Sequence, residues 1–192
     1  VFLKVSTDEG IVGWGEPTLE AHSDSVAAAV KELEPRLIGQ DPLESERLFQ
    51  ALYQGNFYRG GAIKMSAIAG IDQALWDIKG KFFNVPVYQL LGGKVRDRIK
   101  VYSWIGGDDP SNVAAHAAAR FEQGYRNVKM NATGPLERIG DYAEVDAAAQ
   151  RVQSIRDKMG PDFGIAIDFH GRVHKSMAKT LAKALEPMRP LY

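Results

Sequence analysis

The 192-residue chain contains no cysteine. Disulfides and thiolate metal sites are therefore excluded, and the composition fits a reducing compartment such as the cytoplasm. An excess of either charge is also missing, since Lys and Arg number 24 and Asp and Glu number 24. A chain of zero net charge is not expected to have nucleic acid or an anionic membrane as its main partner. No apolar run reaches the roughly 18–20 residues that a membrane-spanning helix needs, and no secretory leader is visible. No internal repeat or low-complexity tract stands out. What is present is a 45% hydrophobic content, enough for one domain, or for a small domain joined to part of a larger one. The chain starts at Val1 within a strand-like segment and ends on "RPLY", also strand-like. It is expected to be a fragment truncated at both ends.

Two rhythms divide the chain. Residues 1–16, "VFLKVSTDEGIVGWGE", alternate as a hairpin with its turn at Asp8-Glu9-Gly10. Val26, Val30, Leu33 and Leu37 then follow helical spacing, with Gly39 and Pro42 as punctuation. A second helix carries Leu48 and Leu52, and "YQGNFYRGGA" (53–62) is a glycine-bearing loop rich in aromatics. Ile68, Ile71, Leu75 and Ile78 mark a long helix for which Gly80 is the expected C-terminal cap. "VPVYQLLGG" is a short helix with a glycine stop. Residues 1–97 thus read as an α+β module.

From Ile99 the order becomes strand, helix, strand, helix. "IKVYSWIGG", "YRNVKMN" (125–131) and "FGIAIDFH" (163–170) are the strands, and "PLY" begins a fourth. The helices between them are marked by Ser111 as cap and Gly124 as stop, by Val145 through Met159, and by Met177, Leu181 and Leu185 ahead of Pro187. Strand ends near Ile105, Asn131 and His170 are 26 and 39 residues apart, bracketing the roughly 30 residues per unit of an eightfold βα barrel. A doubly wound sheet gives the same alternation, although "IGGDDPS" is not the glycine pattern of a dinucleotide site. Residues 98–192 are expected to be the first, incomplete part of a TIM-like barrel domain.

In such folds ligands bind beyond the C-terminal ends of the strands. Lys129 and Asn131 share one side of the second strand by period two, and Asp168 and His170 share one side of the third. Extended backbone would put His170 about 6–7 Å beyond Asp168, at ~3.3 Å per residue. Asp168 suits a hard divalent cation. His170 suits proton exchange with a substrate near neutral pH, and Lys129 and Asn131 suit donation to a carboxylate or enolate oxygen. Tyr58 and Arg59, in the aromatic loop, are candidates to contact a substrate. Each of these groups also occurs in proteins as plain packing or as a solvated polar residue. His22, His116 and His174 are assigned to helix starts, a helix face and a loop. Trp14, Trp76 and Trp104 are expected at core or interface positions.

Taken together, "GWGEP", "YRGGAIKMSAIAGIDQALWDIKGK", "PVYQLLGG", "VRDRIKVYSWIGG" and "DFHGRV" resemble the enolase superfamily, mandelate racemase-like subgroup, over essentially the whole chain. "YRGG" with "KMN" and "DFHGR" is similar to its acid-sugar dehydratases of the galactonate branch. The resemblance implies an N-terminal α+β capping domain followed by the first strands of a modified TIM barrel. It implies a Mg2+-dependent hydro-lyase that removes the proton α to a carboxylate, with a metal-stabilised enediolate and loss of the 3-hydroxyl. Asp168 matches a Mg2+ ligand and His170 the acid at the departing hydroxyl. The other ligands, and a base formed by a His paired with an Asp, are implied on later strands that this chain does not contain. Lys129 and Asn131 match a position where many relatives carry Lys-x-Lys, so a lysine base at 131 is not expected. The implied partners are a small-molecule acid sugar and further copies of the chain in a homo-oligomer. The alternatives are a dehydratase for mannonate or gluconate, or a non-catalytic paralogue that binds sugar acids. Glutamates ending the next two strands and a later His–Asp pair would separate enzyme from binder.

Overall fold

A computed structural model describes residues 1–106 and 110–192. They divide into two units, Val1–Asp97 and Arg98–Tyr192.

In the first unit, β1 (Leu3–Ser6) and β2 (Val12–Gly15) form an antiparallel hairpin. Its turn is closed by the Thr7 hydroxyl, which donates to the Ile11 carbonyl at 3.1 Å and accepts the Ile11 N–H at 3.0 Å. Helices α1 (Ser23–Leu33), α2 (Ser45–Gln54) and α3 (Ala62–Phe82) bury Val26, Leu33, Leu48, Leu52, Ile68 and Ile71 in one core. A short helix, α4 (Val87–Leu90), follows. Two expectations are corrected here. The first helix does not run to Leu37. Pro35 has no N–H to give and its ring opposes the preceding helical turn, so α1 ends at Leu33 and a 3-10 turn covers Glu34–Arg36. Gly80 is not a cap either, because α3 continues to Phe82. It is glycine because a Cβ there would meet the Val85 carbonyl at 3.0 Å.

Helix α3 also completes the hairpin. The outer edge of β2 presents backbone groups that β1 cannot reach, and an unpaired edge of this kind must be satisfied or covered. Side chains one helical turn apart do so. Gln73 accepts the Glu16 N–H at 2.8 Å, and Asp77 accepts the Trp14 N–H at 2.9 Å. Lys81 donates to the Val12 carbonyl at 2.7 Å and pairs with Asp77 at 2.6 Å. This approach is close enough that a Cβ on Gly15 would overlap the Gly70 carbonyl of α3. The segments "GWGEP" and "GIDQALWDIKGK" are thus two halves of one strand–helix contact.

In the second unit, β3 (Ser103–Trp104), β4 (Asn127–Met130) and β5 (Gly164–Ile167) form a parallel sheet in that order. Met130 lies opposite Ile167 and Lys129 opposite Trp104 and Ala166. The helices α5 (Pro110–Glu122), α6 (Tyr142–Met159) and α7 (Lys175–Leu185) follow the strands in turn. Val128, Met130, Ile165 and Ile167 pack with Val113, Val152, Ile155 and Leu181 in the core. The expected cap position of α5 is corrected: the helix begins at Pro110, so Ser111 lies inside its first turn, and the residue ahead of it falls outside the described ones. The terminal "PLY" does not form the expected fourth strand but hydrogen-bonds along β5, Leu191 N–H donating to the Ile165 carbonyl at 2.7 Å and Ile167 N–H to the Tyr192 carbonyl at 3.0 Å. Arg156, half-buried at the end of α6, donates to the carbonyls of Gly160, Phe163 and Met188 and ties the helix to the residue before β5 and to a 3-10 turn at Glu186–Met188.

Candidate functional site at the strand ends

The strand that carries Asp168 stops sooner than its alternation predicts. β5 ends at Ile167, and the next residues turn. His170 adopts φ +48° and Gly171 φ +65°, and Arg172 N–H closes the turn on the Phe169 carbonyl at 2.8 Å. Histidine enters the left-handed region more readily than most residues. Asp168 holds the turn from within, its Oδ1 accepting the His170 N–H at 2.7 Å, the pattern of an Asx turn. The expected separation of 6–7 Å along one face is therefore overturned. The His170 ring comes back onto the aspartate, Nδ1 to Oδ2, at 3.3 Å. Phe169 is partly buried and packs against the core cluster of strand and helix residues.

Lys129 completes the cluster. Its Nζ lies 2.5 Å from Asp168 Oδ2, across from β4 to the end of β5. The parallel register brings them together, because Asp168 N–H donates to the Met130 carbonyl at 2.9 Å and so docks beside Lys129. The Lys129 hydrogen bond first, then the His170 N–H, hold the Asp168 carboxyl at a pKa of about 2. It is ionised throughout the neutral range. Nδ1 of His170 faces this carboxylate, which leaves Nε2 as the ring nitrogen available for exchange with another group.

Asn131 follows β4 directly. Its Oδ1 is buried and makes no hydrogen bond among the described residues. Periodicity marked this position but not the orphaned oxygen, which only neighbouring contacts reveal. The structure thus brings Lys129, Asp168 and His170 together, with Asn131 two residues beyond Lys129. Tyr58 and Arg59 belong to the first unit, in the loop between α2 and α3, and both are exposed there. That unit has a cleft of about 820 Å³ lined by His22, Arg36, Asn56, Gly60 and Lys64 among others. His174 caps α7, accepting the Ser176 N–H, and His116 bonds to the Gly106 carbonyl at 2.8 Å. Trp14 and Trp104 are about half exposed rather than core.

Parallel βα units with an aspartate, a histidine and a lysine gathered at the C-terminal strand ends fit the class of βα folds that bind ligands on that face. The chain belongs to the mandelate racemase-like subgroup of the enolase superfamily. The mandelate racemase / muconate lactonizing enzyme N-terminal domain model matches residues 1–92, and an enolase C-terminal domain-like model matches residues 112–192. Among curated relatives, D-galactonate dehydratase of Pectobacterium atrosepticum is 56% identical and that of Cronobacter sakazakii 55% identical, each over all 192 residues. The chain spans about half the length of these relatives, 50% in each case. Among solved structures, an enolase from Pantoea ananatis with bound D-gluconate and Mg aligns at TM-score 0.88 and 30% identity, over 100% of this chain and 54% of that one. An enolase superfamily member from Salmonella Typhimurium aligns at TM-score 0.89 and 30% identity, over 100% and 55%.

Proposed function

We propose that this chain is part of a Mg2+-dependent hydro-lyase that dehydrates an acid sugar, with D-galactonate the substrate. The observation that carries the proposal is the joined cluster of Asp168, His170 and Lys129 at the ends of β4 and β5. Relatives more than half identical over the whole chain and named D-galactonate dehydratase support the choice of substrate. The gluconate bound by the Pantoea neighbour favours gluconate as the second reading, at a lower identity of 30%.

The residues present fit one part of a Mg2+ site. Asp168 is an ionised, hard oxygen donor at a strand end, and in this reading it holds the metal. No group of three potential ligands occurs among the described residues. When bound, Mg2+ supplies positive charge to offset the dianion that arises when a proton is removed α to a carboxylate. Lys129 adds a fixed cation beside the same carboxylate and suits the substrate's acid group. His170, anchored through Nδ1 and its backbone N–H, presents Nε2 to the 3-hydroxyl and gives it a proton, so that water leaves. The α-proton passes to a base outside these residues, the hydroxyl leaves as water with the proton from His170, and the resulting enol takes up a proton at C3, so that the net loss is one water and the product a 2-keto-3-deoxy acid. Tyr58 and Arg59, whose phenol and guanidinium are exposed in the loop between α2 and α3, are kept as candidate substrate contacts.

The test is a screen of the full-length protein against a library of acid sugars, with and without Mg2+, reading the 2-keto-3-deoxy product. Galactonate turnover that requires Mg2+ is expected. Binding of acid sugars without dehydration of any of them would overturn the hydro-lyase reading.

A further inference from the structure

The loop between α2 and α3 is fixed along its backbone while its central side chains are exposed. None of residues 54–61 is buried, and Asn56 and Gly60 border the cleft of about 820 Å³. Without apolar packing, a loop keeps one shape only if polar contacts hold it. Arg36, in the 3-10 turn after α1, supplies them at the start. Its Nη1 donates to the Ala51 carbonyl at 3.2 Å, and its Nη2 donates to the Gly55 carbonyl at 2.9 Å and to Asn56 Oδ1 at 2.7 Å. Carbonyls at a helix end have acceptor capacity to spare, and a guanidinium offers its donors as a rigid planar fork. Gly55 makes room for that fork. Its φ of −65° is open to any residue, yet a Cβ there would overlap the Arg36 guanidinium and the Ala51 carbonyl. Farther on, Lys64 Nζ donates to the Tyr58 carbonyl at 3.4 Å, and Gly60 and Gly61, at φ +77° and +83°, turn the chain into α3.

Phe57 and Tyr58 are 92% and 85% exposed, with their rings edge to face at 5.3 Å, and Arg59 is exposed beside them. A loop tied down at the backbone and open at its central side chains is built to present them. We propose that Arg36 is a positioning residue: by clamping the start of the loop, it holds Tyr58 and Arg59 ready to engage the acid sugar. That role rests on the reading of Tyr58 and Arg59 as substrate contacts. A phenol serves sugar hydroxyls, and a guanidinium serves a carboxylate. Ordering a loop in advance removes an entropic cost that binding would otherwise carry. The clamp therefore acts on affinity and not on the chemical step.

The experiment measures steady-state kinetics of the full-length protein on the acid sugar it turns over best. Arg36→Met is expected to raise KM about tenfold with kcat within about twofold of wild type, the signature of lost uniform binding. Arg36→Lys keeps the charge without the fork and should recover only part of the affinity. Gly55→Ala, which takes the space of the guanidinium, should raise KM as Arg36→Met does, and the two together should add little. In a Tyr58→Phe/Arg59→Met background, Arg36→Met should have no further effect, because the clamp acts through those two side chains. Hydrogen exchange without sugar should quicken over residues 55–61 alone. An unchanged KM in Arg36→Met, the same KM rise in the Tyr58→Phe/Arg59→Met background, or exchange quickened throughout the first unit overturns the proposal. If Tyr58→Phe/Arg59→Met itself leaves KM unchanged, the reading of those residues as contacts fails and the role of Arg36 falls with it. If wild type binds acid sugars without dehydrating them, the hydro-lyase reading fails, and dissociation constants for the same variants decide the role of Arg36. Absence of any acid-sugar binding by wild type would overturn both.

Discussion

The two units each hold an aspartate–lysine pair, Asp77 with Lys81 in the first and Asp168 with Lys129 in the second, at 2.6 Å and 2.5 Å. Similar chemistry is put to different ends. Asp77 and Lys81 lie four residues apart on one helix, and each spends its remaining capacity on the backbone of β2. Asp168 and Lys129 come from neighbouring strands, and Lys129 spends its charge on the aspartate, with a histidine folded back against the same carboxylate. The first pair completes a sheet edge. The second gathers charge at the face where βα folds bind ligands. A short ion pair therefore says little by itself, and what distinguishes the two is where the leftover hydrogen-bonding capacity points.

That contrast can be broken most sharply at His170. In the full-length protein His170→Asn should cut acid-sugar dehydration by about 10²- to 10⁴-fold, the usual range for losing a general acid. The fold should be unaffected, because asparagine also tolerates a positive φ and can bond to Asp168. Near wild-type turnover would remove His170 from the chemistry. Next in size, Asp168→Asn should weaken Mg2+ binding by upwards of about a hundredfold, since even partners one step removed from a metal cost about 10- to 100-fold. Calorimetry reads this directly, and unchanged affinity would count against the ligand role.

The first unit should respond the other way. Asp77→Ala removes the acceptor for Trp14 and the counter-ion of Lys81, and should cost about 1–3 kcal/mol in denaturant unfolding while kcat is retained. Asp77→Asn keeps an acceptor and should cost less. Gly15→Ala should cost a similar 1–3 kcal/mol by forcing β2 away from α3. A loss of kcat with stability intact in either variant would erase the distinction between the pairs.

The smallest effect is in the titration of Asp168. Its pKa of about 2 lies below the ordinary carboxylate value of about 3.9. A depressed native pKa stabilises the fold above about pH 4, and that contribution disappears as pH falls through about 2. In Lys129→Met the carboxyl midpoint, followed by NMR without Mg2+, should rise toward the ordinary range. The acid limb of the stability curve should flatten between about pH 4 and pH 2. A midpoint that does not move would mean that Lys129 is not what holds the charge.

Much of the fold was legible along the chain. The helical stripes on Ile68, Ile71, Leu75 and Ile78, and on Val145, Val152 and Ile155, are buried as their spacing required. The terminal "PLY" lies along β5 through two backbone hydrogen bonds, without forming a strand of its own. Pro35 and Gly80 misled because one broke a stripe that outlasted its helix, and the other answered to a chain segment packed against it rather than to a cap. At the site, residue types and strand ends were readable, but not the turn at His170. Alternation assumes extended backbone, and Asp168, His170 and Gly171, although each is at home in a turn, do not by spacing alone say where the extension stops.

The sequence by itself determined the alternation of strands and helices and the chemical types at the strand ends, because hydrophobic period and residue identity are local properties. Only the tertiary structure decided that Lys129 and Asp168 touch, that His170 folds back onto Asp168, and that Gln73, Asp77 and Lys81 serve the edge of β2. Those are contacts between segments 2 to 69 residues apart. They depend on register, on a backbone turn and on helix–strand approach, quantities set when the segments pack together.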